Sequence, residues 1–282
     1  MFEQIKRAFA VGYPRQFWVL FVGTIIIRTG SSMIWPFTLI YVSDKLGVPL
    51  TAAAVLLTVR SLCSLISSFI AGPITDSIGR KTVMVVGIIG YILTYLGMLG
   101  ANSMPAFVVV MIYGGIFDPL FRVGVDAMLV DIIPNEKRID AYSVNRMAQN
   151  IGVATGPMLG GFAIAVSYNL AMLAAAGAML IFLVLILFGI TETIEQRVLL
   201  RESLRPSNLF DGYRRVFKDT KFIVTTVLGI IGPIGFSMVW TMMSIYTRDV
   251  LDINEAQFGF LPMTNALMVI FLQLVFTLQA KR

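Results

Sequence analysis

The chain has no histidine, a single cysteine and few charges, 13% of its 282 residues, where a soluble domain carries about 25%. Without imidazole there is no His-held zinc, no Ser-His or Cys-His nucleophile and no histidine proton shuttle. The lone thiol, Cys63, forms no internal disulfide. No Gly-x-x-x-x-Gly-Lys-Ser/Thr loop occurs, so ATP-driven chemistry has no support. We therefore expect no enzyme activity, no cofactor and no metal. The net charge of +6 comes from basic residues dispersed between apolar runs, which argues against nucleic acid as a partner.

What the chain does have is apolar length: 57% of its residues are hydrophobic and mean hydropathy is +0.83. About 20 such residues cross a bilayer, and eight runs qualify, near 17–42, 50–74, 82–101, 105–133, 142–167, 169–191, 222–247 and 256–279. The expected fold is therefore an all-α polytopic membrane protein. Links between the first six segments are short and hold turn formers such as Gly47, Pro49, Asn102, Pro105, Pro134 and Asn135. One long polar stretch separates a six-helix unit, 1–190, from a two-helix remainder, 222–282. That linker, 191–221, mixes Glu192, Glu195 and Glu202 with Arg197, Arg201, Arg205, Arg214, Arg215 and Lys218. Its apolar residues suggest short amphipathic helices on the membrane surface, or a plain solvated tether.

Basic residues set the orientation. With the N-terminus cytoplasmic, sixteen Lys and Arg lie on that side and only Lys45 and Arg248 on the other. Lys6 and Arg7 before an apolar run imitate a signal peptide, but the run is too long and no small-residue cleavage pattern follows.

The start of segment 7 repeats that of segment 1. Gly30, Ser32, Met33, Trp35, Ile40, Tyr41, Asp44 and Leu46 recur as Gly235, Ser237, Met238, Trp240, Ile245, Tyr246, Asp249 and Leu251, at a constant offset of 205. A parallel repeat of six-helix units is a transporter architecture. It predicts twelve helices, so eight read as a chain shortened by gene fragmentation or by design.

Between segments 2 and 3 stands Gly72-Pro73-Ile74-Thr75-Asp76-Ser77-Ile78-Gly79-Arg80-Lys81. Gly72 permits close approach of another helix, Asp76 can accept from amides at a helix start, and Gly79 permits positive φ. The spacing closely resembles the signature loop of the major facilitator superfamily. That resemblance implies a major-facilitator-type six-helix N-terminal bundle plus the first two helices of a C-terminal bundle. It also implies that Asp76 and Arg80 belong to a cytoplasmic charge latch favouring the outward-facing state, with Asp131 as acidic partner.

In segment 5, Gly152, Gly156 and Gly160 fall four apart, beside Pro157 and Gly161. Such a face lets two helix backbones approach, and Pro157 should bend the helix. Tight packing suffices to explain it. The run also resembles the segment 5 motif of the drug:proton antiporter branch, which implies export.

Six ionisable residues lie within predicted spans: Arg28, Arg60, Asp118, Arg122, Asp126 and Arg146. Facing lipid, they would cost on the order of 15 to 20 kcal/mol together, so they pair or line a watery path. Asp118, Arg122 and Asp126, four apart, stack along one helix face. Arg146 snorkels or pairs with Asp126. A candidate substrate and proton path comprises Arg28, Arg60, Asp118, Arg122 and Asp126, with the amides Asn265 and Gln273 eight apart on segment 8. Protonation of Asp118 would break its ion pair and couple proton entry to substrate release; a permanent structural ion cluster is the alternative. Many members of the superfamily carry an Arg where this chain has Met111, so Arg122 is the residue open to that role.

The resulting expectation is proton-coupled efflux of small, drug-like molecules from the cell, through the inner membrane, by a carrier that is monomeric at full length. Its partners are a small-molecule substrate, protons and the lipid bilayer. Uptake of a sugar or other metabolite and a transport-inactive scaffold are the alternatives.

Overall fold

The computed structural model describes residues 12–193, 218–265 and 268, and for 230–238 and 240–241 the backbone alone. Gln273 and most of the linker, with its expected surface helices, fall outside them. So do the side chains of Ser237, Met238 and Trp240. The described residues are helical, without strands: α1 Arg15–Leu46, α2 Leu50–Ile78, α3 Arg80–Gly100, α4 Met104–Ile132, α5 Arg138–Val166, α6 Tyr168–Gly189 and α7 Thr220–Asp249, with α8 opening at Glu255–Phe258. α1, α2, α3, α4 and α6 are long and apolar enough to cross a membrane. α5 matches α4 in length, but its first turns carry Arg138, Asp140, Asn145 and Arg146.

Local chemistry explains the breaks. Pro36 has no amide to donate, and α1 passes through a 3-10 turn at Trp35–Phe37. Gly79, at φ +101°, reverses the chain by itself. α2 therefore runs on to Ile78 and α3 starts at Arg80, so the expected loop 75–81 is almost wholly helical. Gly47 ends α1 in the left-handed region, at φ +63°. Two residues earlier, Lys45 donates to the Met98 and Leu99 carbonyls at the end of α3, at 3.1 and 2.7 Å, a cation at the negative end of a helix.

The six helices alternate in direction. One end of the bundle gathers Gln16, Arg80, Asp131, Arg138 and Thr191, and is called here the latch end. The opposite end gathers Asp44, Lys45, Leu99, Tyr168, Arg248 and Glu255. Packing runs α2 to α4, α4 to α3, α3 to α6, α6 to α1, α1 to α5 and α5 to α8. α1 and α4 meet only briefly. Lipid tails are as apolar as the side chains, so close fit supplies the cohesion. Phe182 of α6 fills the place of a side chain at Gly23, and Phe121 of α4 does so at Gly87. Large apolar residues such as Leu65, Ile66, Phe69, Ile181 and Phe188 remain outside, a surface suited to hydrocarbon and costly in water.

Candidate functional site

At mid-depth of α4, Asp118 is half-buried. Its Oδ2 lies 3.4 Å from Arg122 Nε, one turn on, and Oδ1 accepts a short hydrogen bond from the Tyr91 hydroxyl of α3. Tyr91 stacks on Tyr95 at 6.5 Å, and the positive charge of Arg60 on α2 acts on both rings. Asp118 thus turns toward α3, and Arg28 does not join it. Arg28 instead acts on Asp126, after Arg122, across the gap between α1 and α4. The stacked ladder therefore divides: Asp118 belongs to an internal α2, α3 and α4 cluster, while Arg122 and Asp126 are exposed beside Arg28. Arg146 is exposed. Asn265 is exposed on α8. Met111 is fully buried.

At the latch end, Arg80 gives Nε to Asp131 at 2.9 Å, one guanidinium nitrogen to Asp76 at 2.9 Å and the other to the Thr75 carbonyl at 3.3 Å. One sequence expectation is corrected here. The amides at the start of α3 are taken by Glu192, 3.0 Å from both Arg80 N and Lys81 N, while Asp76 is 70% exposed beyond its pair with Arg80. Among the described residues, a side chain at Gly72 would meet nothing within 4 Å. Small size permits approach without choosing the face that is approached.

The α5 glycines use two faces. A β-carbon on Gly152, Gly156 or Gly160 would strike α1 at Arg28, Ser32 and Met33 respectively. Ser32 reaches the Gly152 carbonyl at 3.1 Å and Thr29 meets Thr155 at 3.1 Å. Gly161 instead abuts the Glu255 backbone of α8, and Gly259 of α8 abuts the Pro157 carbonyl of α5. Nearby, Ser244 of α7 donates to the Pro36 carbonyl at 2.7 Å, Arg248 pairs with Asp44 at 3.0 Å and Phe37 meets Phe258 at 5.4 Å. Residues 36 and 44 touch partners 208 and 204 positions later. Contacts so near the repeat offset are what an axis relating two copies produces.

The family model of the Major Facilitator Superfamily matches residues 20–282. The chain belongs to this superfamily. Its members are multi-pass membrane transporters, not enzymes. The chain is 34% identical over 143 residues to an uncharacterized MFS-type transporter, YqjV, of Bacillus subtilis (strain 168), covering 51% of this chain and 35% of that protein. A Na(+), Li(+), K(+)/H(+) antiporter of Planococcus maritimus is 26% identical, over 94% of this chain and 68% of its own. The quinolone resistance protein NorA of Staphylococcus aureus (strain MSSA476) is 24% identical, over 83% and 59%. The superfamily fold recurs in the crystal structure of a D-xylose-proton symporter, with TM-score 0.70 and 15% identity over 95% of this chain and 69% of that one. The chain spans about a third to two thirds of the length of these relatives. Tyr91, bonded to Asp118, and Glu192, bonded to the Arg80 amide, are contacts that sequence reasoning passed over. Two tyrosines four apart in an apolar span were the available signal for the first.

Proposed function

We propose that the chain forms part of a proton-coupled carrier that exports small, drug-like molecules by alternating access. Residues 1–190 supply one lobe, 191–221 a cytoplasmic linker and 222–282 the start of the second lobe, with the N-terminus cytoplasmic. The observation that carries this reading is the Asp118 site: a carboxylate at mid-depth of an apolar helix, shared between Arg122 of its own helix and Tyr91 of the next. A charge at that depth is costly without partners. A proton taken up at Oδ2 cancels the charge, releases Arg122 toward Asp126 and leaves Tyr91 on a neutral acid. The two protonation states thereby favour different helix arrangements, which is what coupling requires. Among the described residues, contacts between the two units lie at the opposite end.

Export draws support from the likeness to a quinolone resistance protein and to a cation/H(+) antiporter. Uptake is the second reading, favoured by the shared fold with a D-xylose-proton symporter. Proteoliposomes holding the chain separate the two. An acid lumen should drive a fluorescent quinolone inward, and Asp118→Asn should leave downhill flux but abolish the response to the gradient. Accumulation only with acid outside would support uptake. A gradient response unchanged in Asp118→Asn would remove Asp118 from coupling.

A further inference from the structure

The contacts of Glu192 concern how the latch is held shut, a matter independent of what is carried. α3 and α6 run antiparallel, and at the latch end each caps the other. Glu192, just past α6, takes the two first amides of α3 on its two carboxylate oxygens, each at 3.0 Å. In return Lys81 Nζ reaches the Leu187 carbonyl in the last turn of α6, at 3.0 Å. Anion at the positive helix end and cation at the negative end are the favourable arrangement. Gly79 is required for this as well as for the chain reversal, because a β-carbon there would lie 2.8 Å from the Glu192 carboxyl carbon. The next residue extends the connection. Thr193 Oγ1 donates to Asp131 Oδ2 at 2.7 Å, the same oxygen that accepts from Arg80 Nε at 2.9 Å.

We infer that Glu192 and Thr193 act as a strap that positions both members of the Arg80–Asp131 latch, Glu192 by fixing the Arg80 backbone and Thr193 by fixing the acceptor oxygen. The strap is the first stretch of the linker leading to α7. Release of the strap lets Arg80 leave Asp131 without any change in either residue. The two are positioning residues.

The test follows opening of the latch end by thiol labelling, with Ser77→Cys as reporter in a Cys63→Ala background and a membrane-impermeant maleimide. Ser77 is half-buried in the turn before Gly79. Losing two charge-assisted hydrogen bonds, Glu192→Ala should label about tenfold faster, and Glu192→Gln, which keeps a neutral acceptor, about threefold faster. Thr193→Val should show a smaller increase. Raising ionic strength should speed labelling more with Glu192 present than in Glu192→Ala, where only the Arg80 ion pairs remain to be screened, a difference that a purely steric role would not give. Glu136→Gln, an exposed acid at the same end, should label as the parent does. Parent-like labelling of Glu192→Ala at an unchanged melting temperature overturns the inference. If that variant fails to fold, parent-like labelling of both Glu192→Gln and Thr193→Val overturns it. No transport is needed for this readout, so it stands or falls apart from the export reading.

Discussion

The two ends of the molecule are held by different means. At the latch end, Arg80 gathers Asp76, Asp131 and the Thr75 carbonyl, and Glu192 caps the helix that carries it. All of these residues except Glu192, which opens the linker, lie in the first unit, so the network tightens that unit upon itself. At the opposite end the principal contacts cross to the chain after the linker: Asp44 to Arg248, Pro36 to Ser244, Tyr168 to Glu255, and glycine backbone of α5 against α8. The charged pair there is 44% and 37% exposed, and exposed pairs contribute little. The difference teaches where a joint can open. A dense, partly buried network inside one unit resists motion, whereas a weak pair and a backbone fit between units can part and re-form.

Substitutions along the α5 stripe give the largest expected effect. Gly156→Leu drives a side chain into α1 within the first unit and should cost on the order of 3 kcal/mol or more, read as loss of folded protein or a large drop in the melting temperature of the detergent-solubilised chain. Gly161→Ala, one turn along but facing α8, should leave that temperature nearly unchanged and raise thiol access at the opposite end. Equal destabilisation by the two would erase the distinction between fixed unit and joint.

Arg80→Gln comes next. Removing a guanidinium with three acceptors should cost about 1.5 to 3 kcal/mol in thermal unfolding. Arg248→Gln should cost about 0.2 to 1 kcal/mol, and that cost should shrink in high salt. A reversal of this order would contradict the contrast between the two ends. Smallest of all is Gly72→Ala. No described residue stands where its methyl would go, so helix propensity should dominate, with a gain of up to about 1 kcal/mol.

These same residues mark how far the sequence could be read. The helices were legible because hydrocarbon demands uninterrupted apolar length, and the pairing of Arg80 with Asp131 was implied by the resemblance of 72–81 to the superfamily's signature loop. The ladder of Asp118, Arg122 and Asp126 was legible as a shared face, but four-residue spacing does not say which neighbour the face meets. Hence Asp118 turning to Tyr91, and Arg28 acting on Asp126, had to come from the structure. Glu192 was hidden for a different reason. Any carboxylate that reaches a helix start can cap it, and this one arrives from 112 residues away. Gly72 and Gly156 look alike in sequence, and only packing separates an open groove from a filled one.

The central claim is that the Asp44–Arg248 end is the joint that opens during transport. A disulfide between Asp44→Cys and Arg248→Cys in a Cys63→Ala background tests it most directly. With the bond formed, gradient-driven flux in proteoliposomes should stop and should return on reduction. Flux that continues at the reduced rate with the bond intact would contradict the claim.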